Sequence, residues 1–329
     1  MYKYLLLGGA GVFAVHTANF LLERKDTKSV ISVGRNIERG SYFHLDVGKN
    51  DPRYSYHQIH MVFEQDRLFE LIEKEQPDFI INYAALAYAT SWEKSFRYYE
   101  TNLVAVAKLC EFLTGKSYFK KFIQIGTSEL YGSVEKPADE RHPISPTSPY
   151  AVSKLAADLH LETLFKVKNF NMNILRPSNA YGEGQQVWRV LPRAVLCGIT
   201  GQKLPLEGGG LVKKSYLHAR DLANAIHLVT HKGHPGEIYN VGPDNPSTIV
   251  SLIQIIADQL EMELNQLCEI TPGRVGEDNQ YWLNSDKIKA DVGWVKEVTL
   301  EKGIEALISW GNQYKEILLQ QETFFQLRA

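Results

Sequence analysis

The chain has 329 residues, 44% of them apolar, enough for one large α/β domain or two interleaved ones around a sizeable core. Its 36 basic and 38 acidic side chains leave a net charge of −2, so it offers no basic field to nucleic acid or to an acidic membrane surface. Cys110, Cys197 and Cys268 are scattered without a CxxC pair and no segment reaches the ~20 apolar residues of a membrane span, so free thiols in a reducing, cytoplasmic setting are expected.

The first predicted strand, Tyr4–Leu7, is too short for a signal peptide and passes straight into glycines. Further strands are predicted at Ser29–Val33, Tyr54–Gln58, Phe79–Asn82, Phe122–Gly126 and Asn173–Leu175, and helices at Val12–Glu23, Asp66–Glu75, Phe96–Leu113 and Ala151–Lys168. Strands alternating with helices imply a parallel sheet covered on both faces. After Pro177 the pieces shorten and Gly/Pro punctuation thickens, as at Gly208-Gly209-Gly210 and His234-Pro235-Gly236, with clear helices at Ile249–Leu260 and Leu300–Tyr314. The pattern predicts a Rossmann-type doubly wound α/β sheet over residues 1–176, rejoined by about 213–243 with Ile238–Val241 returning to the sheet. A smaller α/β substrate lobe is expected from 177–212 and 244–329.

The turn after the first strand, Gly8-Gly9-Ala10-Gly11-Val12-Phe13-Ala14, suits a dinucleotide. Gly8 permits a tight turn, Gly11 lets the backbone approach a pyrophosphate, and the helix that Val12 and Phe13 open presents free N–H groups at the positive end of its dipole. An NAD site places Asp or Glu at the end of the second strand, to bind the ribose 2′-hydroxyl. Here the run is Val33-Gly34-Arg35-Asn36; the acid is missing and Arg35 suits a 2′-phosphate, so NADP is favoured over NAD.

The fifth strand runs into Gly126-Thr127-Ser128-Glu129-Leu130-Tyr131-Gly132, and Ser148-Pro149-Tyr150-Ala151-Val152-Ser153-Lys154 opens the next helix. Tyr150 and Lys154 fall on one helical face. A phenol with a pKa near ~10 is a poor base at neutral pH, but a neighbouring ammonium and the nicotinamide's positive charge favour the phenolate. With Thr127 donating to the same substrate oxygen, this pair can take a proton from a sugar hydroxyl while hydride leaves for the cofactor. His227, His231 and His234 sit near a helix end with no carboxylate or thiol to complete a ligand set, so no metal is expected. The pair Asp139-Glu140 reads as a solvated loop.

These motifs resemble the extended short-chain dehydrogenases/reductases of the nucleotide-sugar epimerase and dehydratase group. The likeness continues through Asn82-Tyr83-Ala84-Ala85, Glu100-Thr101-Asn102, Arg176-Pro177-Ser178-Asn179, Lys214-Ser215-Tyr216-Leu217-His218, Tyr239-Asn240-Val241-Gly242 and Pro272-Gly273-Arg274. It implies that Ala84 meets the cofactor and that Asn179 meets a substrate phosphate. It further implies that Lys214 (in place of the usual Arg) and Arg274 clamp the diphosphate, that Leu191 lies near the base, and that Tyr88 touches the sugar. It also implies a homodimer or higher homo-oligomer, through helices Phe96–Leu113 and Ala151–Lys168.

Glu129 bears on the reaction. TSELYG is similar to the GDP-mannose 4,6-dehydratase form of the motif, whereas dTDP-glucose dehydratases prefer TDE, from which Ser128 departs. Oxidation at C4 acidifies the C5 proton; a carboxylate can remove it, and water then leaves from C6. A 4,6-dehydratase acting on a nucleotide-hexose is therefore the favoured reading, with 4-epimerase, uronate decarboxylase and 4-dehydrogenase as alternatives. A non-catalytic cofactor sensor on the same fold is the remote one, since it would have no need of Thr127, Tyr150 and Lys154 together.

Overall fold

The computed structural model describes residues 1–38, 51–87, 92, 94–273 and 280–323. The first half runs β1 (Tyr2–Leu7), α1 (Val12–Leu22), β2 (Thr27–Gly34), β3 (Tyr54–Gln58), α2 (Gln65–Glu75), β4 (Phe79–Asn82), α3 (Ala105–Leu113), β5 (Lys121–Ile125), α4 (Pro149–Lys168) and β6 (Met172–Pro177). The second half runs β7 (Asn179–Tyr181), α5 (Val190–Thr200), β8 (Leu204–Glu207), β9 (Lys213–Lys214), β10 (Tyr216–His218), α6 (Ala219–Lys232), β11 (Ile238–Val241), β12 (Ser247–Thr248), α7 (Ile249–Gln259), β13 (Cys268–Thr271), β14 (Gln280–Tyr281), α8 (Asp286–Val292) and α9 (Leu300–Gln313).

Seven of the strands form one parallel sheet in the order β11-β6-β5-β4-β1-β2-β3. Side chains alternate across it as strand geometry requires. Tyr4, Leu6, Phe79 and Ile81 pack on one face with α1 and α6, and Leu5, Leu7 and Ile80 on the other with α2, α3 and α4. Burying each such Leu or Ile contributes about 2 kcal/mol, and both faces must be covered for the sheet to hold. A third core, with Leu191, Leu206, Leu252, Ile256, Leu307 and Trp310, gathers α5, α7 and α9 into the smaller lobe.

Several pieces were invisible in the sequence pattern. The small sheets β10-β7, β13-β8 and β12-β9-β14 use strands of two to four residues, too short to show a period. The predicted helix over 96–113 is interrupted by a π-helical segment at Glu100–Val104. Glu140 is no solvated loop residue: its Oε1 accepts from the Asn240 N–H at 2.7 Å, and burial raises its carboxyl above the ordinary range. The His227 and His231 rings are tilted against each other with centroids 4.7 Å apart, His231 Nε2 lies 2.8 Å from the Tyr4 hydroxyl, and burial first, then the His231 charge, push His227 down to about 4. Among the described residues, no group of three or more His, Cys, Asp or Glu could hold a metal ion, and no helix is long and apolar enough to cross a membrane.

Candidate active site

In a doubly wound sheet the crevice for a ligand opens at the carboxyl ends of the strands where their order reverses, here between β1 and β4. Gly8 leaves β1 with φ +76°, and a Cβ on it would stand 2.8 Å from the Ala84 nitrogen. Ala84 is itself held, its N–H donating to Asn82 Oδ1 at 3.1 Å while Asn82 Nδ2 donates to Gln124 Oε1 at 2.9 Å. Gly11 caps α1 in an extended conformation with no side-chain cap, and the helix's first turn carries no acid. The N–H groups opened by Val12 and Phe13 are thus free of side-chain competition, which fits the pyrophosphate of a dinucleotide.

Gly9, to which the sequence reading gave no role, is the tightest of the three. Its Cβ would meet Ser32 Cβ at 2.6 Å. Gly9→Ala is therefore expected to destabilise the fold by about 1–3 kcal/mol, as overpacking does. A denaturant midpoint unchanged from that of the parent would contradict this packing.

Arg35 stands exposed just past β2, its carbonyl accepting from Gln58 Nε2 at 3.2 Å. Its guanidinium is held below its ordinary pKa by desolvation first and by the Arg97 charge second. His60 is lowered by burial, then by Arg35, with Arg97 adding to it. Two guanidiniums therefore lie near one another beyond β2 and β3, with His60 beside them and held toward its neutral form. Arg97 and His60 were missed from sequence because neither belongs to a motif.

The catalytic candidates come together at the end of β5. Ser148 caps α4, its Oγ accepting from the Ala151 N–H at 3.1 Å, and Pro149 occupies the first turn. This starts the helix two residues before the predicted position and fixes Tyr150 at its mouth. The Tyr150 phenol is hydrogen-bonded to Thr127. Burial pushes the phenol up, as do the Glu129 and Asp158 charges, while the Thr127 bond and Arg189 pull it down. Lys154 does not figure among the groups acting on the phenol. Its Nζ donates instead to the Ile125 carbonyl at 2.5 Å, and desolvation lowers it to about 8. Ser128, Glu129, Leu130 and Tyr131 form a 3₁₀ turn capped by Thr127 Oγ1, which accepts from the Glu129 N–H at 3.2 Å.

Asn102, in the π-helical segment, ties these parts together. Its Oδ1 accepts from the Leu86 N–H at 2.8 Å, and its Nδ2 donates to the Leu86 carbonyl at 3.1 Å and to Ser153 Oγ at 2.9 Å. Ser153 Oγ in turn donates to the Tyr150 carbonyl at 2.7 Å. A π-bulge re-aims one side chain out of the helical pattern, which periodicity cannot anticipate.

The substrate-side residues are more dispersed. Asn179 opens β7, in register with Tyr216 of β10, and Lys214 lies in β9 with its ammonium 6.0 Å from the Tyr281 ring centre. Leu191 is only 1% exposed and packs into the lobe's core, so its side chain holds α5 in place and the helix's N-terminal turn, with Trp188 and Arg189 before it, is the part left open. Tyr88 and Arg274 lie outside the described residues.

A dinucleotide turn at the switch point and a tyrosine one helical turn from a lysine define the class: a nicotinamide-dependent enzyme of the extended short-chain dehydrogenase/reductase type. Within that class the family model for GDP-mannose 4,6 dehydratase matches residues 5–307, and the chain belongs to this family. It is 30% identical over 315 residues to human dTDP-D-glucose 4,6-dehydratase, covering 94% of this chain and 89% of that one. It is 27% identical over 335 residues to the dTDP-glucose 4,6-dehydratase of Haemophilus influenzae, covering 94% and 98%. Among solved structures it is similar to dTDP-glucose 4,6-dehydratase from Bacillus anthracis in complex with NAD, at 28% identity and a TM-score of 0.86 over 96% of this chain and 98% of that one. A UDP-glucuronic acid 4-epimerase from Bacillus cereus shares the fold at 22% identity and a TM-score of 0.85, over 94% and 99%.

Proposed function

We propose that the protein is a nucleotide-hexose 4,6-dehydratase that works through a 4-keto sugar. The observation that carries this reading is Glu129, a carboxylate on a capped turn beside Thr127 and near enough to Tyr150 for its charge to act on the phenol. A dinucleotide bound across Gly8, Gly11, Val12, Phe13 and Ala84 would accept hydride from C4 and return it to C6. Tyr150 takes the proton of the C4 hydroxyl, Thr127 donates to the same oxygen, and Lys154 holds the end of β5 through the Ile125 carbonyl. Glu129 then removes the C5 proton. Ser128 brings no carboxylic acid, so Glu129 hands the collected proton to the departing C6 hydroxyl and water leaves; as hydride returns to C6, C5 takes up a proton, and the one Tyr150 collected from the C4 hydroxyl closes the balance. Asn179, Lys214 and Arg274 hold the diphosphate, and Tyr88 the sugar.

The test is incubation with GDP-, UDP-, CDP- and dTDP-hexoses followed by mass spectrometry. Loss of water supports the dehydratase; unchanged mass with an altered sugar means an epimerase, loss of carbon dioxide a decarboxylase, and loss of two hydrogens a dehydrogenase. Any of the last three outcomes sinks the proposal.

NADP is the proposed cofactor. No acid stands at the end of β2, and the Arg35 and Arg97 charges repel each other where a 2′-phosphate would neutralise them and return His60 toward its protonated, donating form. Arg35→Asp is expected to weaken NADP binding by roughly 10–100-fold, the worth of one charge-assisted hydrogen bond, and NAD binding far less. Calorimetric titration with both cofactors checks it; equal losses for the two would remove Arg35 from that role.

The working unit is a homodimer or higher homo-oligomer. Phe96, Val104, Val152 and Leu159 are exposed apolar residues of the 96–113 region and α4, the elements the sequence resemblance assigns to pairing. Residues 1–176 with about 213–243 form the cofactor half, and 177–212 with 244–329 the substrate half. Three buried free cysteines are consistent with a cytoplasmic location.

A further inference from the structure

We propose that Arg176 is a positioning residue that holds the two halves of the reaction in register, gripping Asp158 one turn beyond Lys154 and Tyr131 two residues beyond Glu129. This rests on the dehydratase reading for the roles of Lys154 and Glu129. Arg176 is the penultimate residue of β6 and is 2% exposed. Its Nε donates to Asp158 Oδ2 at 3.1 Å, its Nη2 forms an ion pair with the same oxygen at 3.0 Å, and its Nη1 donates to the Tyr131 hydroxyl at 3.0 Å. The Tyr131 hydroxyl donates onward to Asn240 Oδ1 at 2.9 Å, and Asn240 Nδ2 to the Ala138 carbonyl at 2.9 Å.

Two further observations mark the guanidinium as placed rather than accommodated. Gly126, next to Thr127, has its would-be Cβ 3.0 Å from Arg176 Cγ, so the strand end is cut back to let the arginine stem pass. The 3₁₀ turn that carries Glu129 is only four residues long, so its position depends on the anchor at Tyr131. A buried ion pair is poor value as a source of stability, since apolar side chains of equal volume usually do as well. A planar fork with fixed donors does what they cannot: it sets the distance between two separate chain segments. Asp158 also acts on the lysine, raising its pKa against the desolvation that dominates it.

The test separates the two arms with variants milder than Arg176→Met, which would strand the Asp158 charge in the core. With dTDP-glucose, absorbance of the reduced nicotinamide reports oxidation and mass spectrometry reports water loss. Tyr131→Phe is expected to leave oxidation nearly unchanged and slow water loss by about 10–100-fold, the effect of loosening a reacting group's position. Asp158→Asn is expected to slow oxidation by a similar factor and to move the alkaline limb of its pH profile to lower pH, because the lysine loses the charge that raises its pKa. The groups facing that lysine are Asp158 on its own helix, with Arg176 and Tyr131 packed behind it. Arg176→Lys, which keeps charge but loses the fork, should impair both steps.

Crystal structures of Tyr131→Phe and Asp158→Asn make the proposal independent of the substrate. The first should displace the 128–131 turn while Lys154 stays on Ile125, and the second should do the reverse. If both segments stay in place, or both variants slow both steps equally, the proposal is overturned. If the parent protein removes water from no nucleotide-hexose, the dehydratase reading falls and the crystallographic arm still decides the role of Arg176.

Discussion

Tyr150→Phe is expected to lower turnover by on the order of 10³-fold with any nucleotide-hexose, in a protein that stays folded. The ring is packed edge-on against Tyr98, with centroids 6.5 Å apart, and phenylalanine preserves that contact. What is lost is one hydroxyl and its bond to Thr127, worth about 1 kcal/mol of stability. The chemical loss is far larger because the same hydroxyl is the only proposed acceptor for the C4 proton. The parent's pH dependence follows from the same groups. Burial pushes the phenol well above its ordinary value, so it stays protonated across the working range until the bound nicotinamide's positive charge favours the phenolate, and on its own it sets no acid-side limb. Lys154 is held to about 8 by desolvation, so its ammonium is lost as pH rises through that value and activity falls on the alkaline side. Steady-state rates across pH, with melting curves for both proteins, check the pair of claims. A Tyr150→Phe protein that keeps a tenth of the parent's rate would show that proton transfer runs through another group.

That argument needs Tyr150, Lys154 and Thr127 in one place, and the sequence made their meeting legible. The spacing of Tyr150 and Lys154 is helical geometry, and the Gly8–Gly11 turn after Leu5-Leu6-Leu7 is a steric necessity of strand-to-helix entry. The middle of the sheet was legible for the same reason: β1, β4 and β5 carry short, largely apolar runs bounded by glycine or polar turns. What escaped has physical causes too. Asn102 acts from a π-bulge that breaks the helical period. Arg176 and Asp158 are charged residues in a core, and composition places such residues on the surface by default. Lys154 reads from spacing as the group that tunes the phenol, yet it bonds to the Ile125 carbonyl, because a buried ammonium takes whichever acceptor the backbone presents. Leu191 was assigned to a ligand by resemblance and lies in the lobe's core, where its leucine character alone would have put it.

Glu129→Gln is expected to separate the two chemical steps. The amide keeps the size of the side chain, and the backbone N–H that donates to Thr127 is untouched, so the turn persists. Oxidation at C4 uses Tyr150 and Thr127 and continues. It should even extend to lower pH, because the Glu129 charge is the largest electrostatic influence raising the phenol and its removal makes the phenol easier to ionise. Removal of the C5 proton, by contrast, loses its base, and water release should fall by roughly 10²–10⁴-fold. With no other carboxylic acid in the Thr127-Ser128-Glu129 triplet, nothing nearby in the motif can substitute. The signature is a reduced-nicotinamide absorbance that rises on mixing and persists, with a sugar product that retains its C6 oxygen. Water released at the parent's rate would refute Glu129 as the base. It would also remove the feature that sets this site apart from an epimerase, which needs only oxidation, rotation of the keto sugar and reduction.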